Sequence, residues 1–229
     1  MRTTRFFIFI FIFITAFIYY SCDDSGIATN DTFELSSFGT QDSTLLDNTI
    51  FIDTVKVLFK DIKLNVSHTN DSNNFKTGPL VVYFKTGGIT SLGTAELPAG
   101  SYDKIKFEIH KLTSTETPPD PEFADTALYS VIVEGRWLDS TNNTFPFIFK
   151  SGVNAHQILA FPDSLIIATG VICNVTILAK PYIWFRSSNG TWLDPRDSNN
   201  KNEIENNIRN NVNSNIRAFK DNNRDGQPD

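Results

Sequence analysis

The chain has 229 residues, a formal net charge of −6, 40% hydrophobic and 20% charged residues. That balance excludes a disordered acidic tail and a polytopic membrane protein, and its acidity lacks the basic stripe of a nucleic-acid binder, so no nucleic-acid partner is expected. Two cysteines are too few for a disulfide-stapled miniprotein or a Cys-rich zinc module.

Arg2 and Arg5 precede an apolar run from Phe6 to Tyr20, rich in Phe and Ile. As a helix that run spans about 22 Å, short of the ~30 Å hydrocarbon core, which suits a signal-peptide core better than a permanent span. Ser21-Cys22-Asp23-Asp24 follows. A small residue before Cys at this point resembles the lipobox of bacterial lipoproteins. The resemblance implies a diacylglyceryl group on Cys22, cleavage before it, and an acylated new amino terminus, so the membrane is a partner through lipid. Several acyl chains exceed the marginal hold of a single myristoyl chain. Tyr19 and Tyr20 depart from the usual Leu and small residue, and an ordinary cleaved signal with an incidental Cys22 is the alternative. Asp23 and Asp24 resemble the surface-export mark of Bacteroidetes-type lipoproteins, whereas in enterobacterial ones Asp after the Cys favours the inner membrane. The expected address is an outer membrane or cell surface, with the periplasmic side of the inner membrane as the alternative.

Residues 1–21 are thus predicted as signal peptide and 22–46 as a polar tether, ending in a first strand around Thr32 to Phe38. Residues 47–186 read as one β domain. Val55, Val57 and Phe59 alternate with polar residues, then Ile62, Leu64 and Val66 take over, a phase slip near Lys60 and Asp61 that predicts a β-bulge. Leu80 to Lys85 is a nearly continuous apolar strand. Pro98 and Gly100 turn the chain into a strand with Ile105, Phe107 and Ile109 inward and Lys104, Lys106, Glu108 and His110 outward. A long loop from Thr113 to Asp125 holds Pro118, Pro119 and Pro121, a length common among functional loops. Further strands are predicted around Tyr129 to Val133, Phe145 to Phe149, Ile158 to Phe161, Gly170 to Ala179 and Tyr182 to Phe185. Val171, Cys173, Val175 and Ile177 share one face, where Cys173 is a small buried hydrophobe. Short strands without intervening helices predict a mainly β fold, an antiparallel β-sandwich of immunoglobulin or transthyretin type.

Residues 187–229 read as a loop, a helix and an acidic loop. Ile204, Ile208, Val212, Ile216 and Phe219 mark one amphipathic helix over Asn202 to Lys220, with Asn202 and Glu205 as a capping box. Its Asn-rich polar face makes it depend on docking. Leader, Pro98–Ile105 turn-strand and Ile-striped helix with an Asp-rich end together resemble bacterial lipoproteins carrying the domain of unknown function 4382. That resemblance implies a β-sandwich and export, and supplies no catalytic residues.

Asp221, Asn223 and Asp225 at alternating positions, then Gly226, the Gln227 carbonyl and Asp229, follow the first part of an EF-hand calcium loop. The segment also resembles thrombospondin type 3 repeats. It predicts a weak Ca2+ site, completed by an acid from elsewhere such as Asp194 or Asp197. His68, His110 and His156 lack metal-ligand spacing and read as surface residues. Trp137, Trp184, Trp192 and Tyr182 are candidates for a sugar-stacking face, with packing as the stronger reading. Nucleophile, phosphate-loop and zinc-protease motifs are absent. The expectation is therefore a non-enzymatic binding or structural module contacting glycans or envelope proteins. The alternatives are an assembly protein using edge-strand addition and a carbohydrate-active hydrolase built on a carboxylate pair.

Overall fold

The computed structural model describes residues 32–40, 49–66, 75–113, 115–124 and 128–229. The leader, Cys22 and His68 lie outside them. The fold is mainly β, two sheets face to face with one helix near the carboxyl end. Among the described residues no helix is long and apolar enough to cross a membrane.

The larger sheet is built on β2 (Ile50–Val66). Its first half pairs with β7 (Val131–Leu138), which carries β8 (Thr144–Ser151); its second half pairs with β6 (Gly100–Ile109), which carries β9 (Ala155–Ile167). β3 (Phe75–Thr77) and β4 (Leu80–Phe84) hold one continuous register along β2, Ile62 opposite Thr77 and Phe59 opposite Leu80. The bulge expected near Lys60 is present as a register shift between Phe59 and Asp61. It lets Val55, Val57 and Phe59 on one side of the slip and Ile62 and Leu64 on the other all face the core. Phe59 and Phe107 stack there with ring centroids 5.1 Å apart.

The smaller sheet orders β11 (Arg217–Lys220), β10 (Cys173–Ala179), β1 (Phe33–Gly39) and β5 (Thr90–Ala95). β1 runs parallel to β10, the one parallel pair of strands among the described residues, and antiparallel to β5. The first strand expected around Thr32 to Phe38 is present as β1, an inner strand of this sheet, and buried Glu34 in it pairs with Arg224 of the C-terminal loop. β11, beyond residue 186, is the edge strand of this sheet on the β10 side.

Three expectations change. Tyr182 to Phe185 is not a strand, because Pro181 opens a 3-10 helix over Pro181–Phe185 that sinks Trp184 and Phe185 into the core. The helix α1 (Lys201–Asn215) buries Ile204, Ile208 and Val212, but Ile216 is already extended and Phe219 lies in β11. The Asn202–Glu205 box does not form. Asp197 caps the preceding turn through the Asn199 amide, and Glu205 accepts from the Ser151 hydroxyl at 3.0 Å. Docking does hold the Asn-rich helix, since Asn207 Nδ2 donates to the Trp184 and Arg186 carbonyls.

Candidate functional site

The C-terminal loop gathers Asp221, Asn223 and Asp225, as their spacing predicts. Asp221 is fully buried at the end of β11. Its carboxylate accepts from the Thr176 hydroxyl at 2.7 Å and from the Asp225 and Gly226 amides. Gly226 takes φ 79°, and a Cβ there would come within 3.1 Å of the Phe38 ring, so the position favours glycine. Asn223 Oδ1 accepts from the Asp225 amide and Asp225 Oδ1 from the Gln227 amide. Asp229 does not join them: it accepts from the Asn222 amide at 3.0 Å and pairs with Lys220 at 3.6 Å. Asp194 is held by Arg196 and Asp197 by the Asn199 amide. Among the described residues no group of three or more His, Cys, Asp or Glu side chains is placed to hold a metal ion.

The aromatic candidates are packing residues. Trp137, Trp184 and Tyr182 are buried, and half-buried Trp192 lies under the Arg186 guanidinium, 3.9 Å from its ring centroid. Cys173 is a buried free thiol, and burial pushes its pKa up. Val171 leaves the face it was expected to share and stands in solvent at a turn tip.

The long proline loop is a cover. Phe123, on a 3-10 turn over Pro121–Phe123, packs with Leu58, Leu112 and Ile132 in a second small core on the outer face of the large sheet. Asp120 caps that turn through the Glu122 amide and accepts from the Tyr83 hydroxyl at 2.6 Å. The Tyr83 bond holds the Asp120 carboxyl below the usual carboxylate range, against its partial burial. The same bond, with burial, raises the Tyr83 phenol. Lys56 Nζ meets Glu122 at 2.5 Å and Glu134 at 3.3 Å. Burial opposes its charge, yet these two carboxylates hold its pKa above the ordinary lysine value.

Further along the same outer face lies an open cleft of about 580 Å³. Lys63 of β2 stands directly opposite Lys76 of β3 and Lys106 of β6, and Lys106 opposite Ile158 of β9. The next outward row is Asp61, Glu108 and His156. Asn154 and His110 close one end. Asp61 bonds Lys76 at 3.0 Å. Like charges directly opposite on neighbouring strands destabilise a sheet, and this chain sets three in register. Alternation in the sequence marks these lysines as outward, but only strand register brings them together. With cations for acidic groups and carboxylates able to accept from hydroxyls, the cleft has the chemistry of a polar, anionic polyol site.

Three of the sheet edges are blunted: β8 carries Pro146 and β9 carries Pro162, each removing a donor, and β11 is four residues long, while β5 forms the remaining edge of the smaller sheet without a proline. No family model, curated protein or solved structure matches the chain.

Proposed function

We propose that this chain is an exported bacterial lipoprotein, anchored by lipid on Cys22 to an outer or surface membrane, whose β-sandwich is a non-enzymatic binding module for an acidic glycan. The in-register row Lys76, Lys63 and Lys106 carries this reading. Even with Lys76 paired to Asp61, the register concentrates three cations on one wall of an open cleft, where a carboxylated or sulfated sugar would add charge-assisted hydrogen bonds. Asp61 and Glu108 in the adjacent row suit sugar hydroxyls, and exposed Ile158 an apolar sugar face. Edge-strand addition has less support at β8 and β9, which prolines blunt, and would have to use β5, a six-residue edge. The proposed role does not route through calcium; the oxygens of Asp221, Asn223 and Asp225 accept from amides and a hydroxyl that close the loop.

Titration of the protein with polygalacturonate and with a neutral glucan tests the ligand. Binding is expected for the acidic polymer alone, weakening as salt rises, and falling at least about tenfold, or ~1.4 kcal/mol, in Lys63→Ala/Lys106→Ala. Equal binding of both polymers, or an unchanged double variant, removes the cleft from the function.

A further inference from the structure

Six large hydrophobic side chains stand exposed among the described residues, and three of them, Ile166, Val171 and Ile172, share one tip. This is the turn between β9 and β10, closed by the Val171 amide donating to the Ala168 carbonyl, with Gly170 at φ 76°. Ser164 to Cys173 contains no charged residue, nor does Leu97 to Ser101. Register puts the second segment beside the first, Gly100 opposite Ile167 and Ser101 opposite Ile166. The turn itself is thus free of charge, while the groove that its three aliphatic side chains line carries Asp163, Arg217, Lys220 and Asp229 farther back.

The amino-terminal segment joins the domain at the same place. Thr32 is buried and fixed: its amide donates to the Ala95 carbonyl, its hydroxyl donates to the Leu97 carbonyl and accepts from the Leu97 amide, and its carbonyl accepts from the Cys173 amide at 3.0 Å. Cys173 directly follows Ile172. Cys22 lies ten residues before Thr32, so a lipid there is at most ~35 Å of chain away. So short a leash keeps the tip at high effective concentration over the surface that holds the anchor.

We propose that the Ile166/Val171/Ile172 tip docks into the interfacial layer of the anchoring membrane, setting the sandwich on end with β2 rising away from the lipid. Resting on the lipoprotein reading for its anchor, this adds a second contact that fixes orientation. Aliphatic side chains on a turn free of charge lose water without burying an ion, the condition for interfacial binding.

The test uses the full chain, as produced in a bacterial host, reconstituted into vesicles of phosphatidylethanolamine and phosphatidylglycerol. Dansylalanine replaces Val171, or Thr141 in the turn at the opposite end of β2. The expected result is a blue-shifted emission at 171 with quenching by nitroxide lipids at least about threefold stronger than at 141. That difference should be lost in Ile166→Ser/Ile172→Ser carrying the same probe, with an unchanged melting temperature. Equal quenching at both positions, or a chain that does not stay with the vesicles, overturns the proposal. A 171 signal that grows with protein concentration without vesicles also overturns it, in favour of a second copy on the tip. The mass of the amino-terminal peptide reads the anchor separately: a diacylglyceryl Cys22 with a silent 171 probe sinks the docking alone, and an intact leader with a quenched probe sinks the lipoprotein reading alone.

Discussion

The two halves of β2 present opposite treatments of one sheet face. Along the first half, Leu58 and Ile132 of the sheet face outward and pack with Phe123 of the proline loop and Leu112, while Lys56 beside them is satisfied by Glu122 and Glu134. Along the second half Lys63 stands between two further lysines over an open cleft. Both halves share a strand, a sheet and an inner core. The difference lies in cover: the first half is roofed and its lysine meets two carboxylates, whereas the second half, with Asp61 on Lys76, leaves its lysine row on an open cleft, which is where the proposed ligand would sit.

The roofed half should be the more sensitive to change. Phe123→Ala removes the ring that fills the second core and should cost about 3 kcal/mol, because the flanking prolines hinder the loop from collapsing into the gap. Chemical denaturation measures the loss, and limited proteolysis should cut within 113–124 long before the body unfolds. A loss below about 1 kcal/mol would mean that the loop is no roof and would erase the contrast between the halves.

Acid should open the same half selectively. The folded Asp120 carboxyl titrates below its unfolded value because it accepts from Tyr83 and the Glu122 amide. Its contribution is therefore complete above the unfolded value, near pH 4, and is lost as pH falls through the lower folded one. Hydrogen exchange at Glu122 and Phe123 should accelerate below about pH 4, and Asp120→Asn should reproduce the acid behaviour at neutral pH, costing ~1 kcal/mol. Exchange that accelerates equally over the Lys63 half would locate the acid response elsewhere.

Legibility in the sequence divides along a physical line. The slip at Lys60 and Asp61 was readable because each period-2 run states its own face. The Ile204, Ile208 and Val212 stripe was readable for the same reason at helical period. Thr90–Ala95 was not, since it lacks alternation and contains Gly93; it is a strand because β1 offers a partner. Tyr182 to Phe185 has strand composition, but Pro181 sets the local turn and Trp184 goes inward with it. In the C-terminal loop the spacing of oxygens is local and was legible. Their destinations were not, because Thr176 and Lys220, which claim Asp221 and Asp229, come from β10 and β11. The lysine row is the extreme case. Lys63, Lys76 and Lys106 each look like an ordinary solvent-facing residue, and their juxtaposition exists only in the register of three strands.

That register also sets the smallest expected effect. Lys63→Ala/Lys106→Ala removes two cations from a surface where each opposes another, so the lost methylene packing is offset by relieved repulsion. Unfolding free energy should stay within about 0.5 kcal/mol of the parent, and any change should be a gain that shrinks as salt screens the repulsion. Denaturant melts at low and high ionic strength decide it. A clear loss, on the order of 2 kcal/mol or more, would show that the lysines are bound into the fold through the Asp61 and Glu108 row. The two halves of β2 would then differ in exposure alone, and the argument from the open lysine row to a ligand would fall with that result.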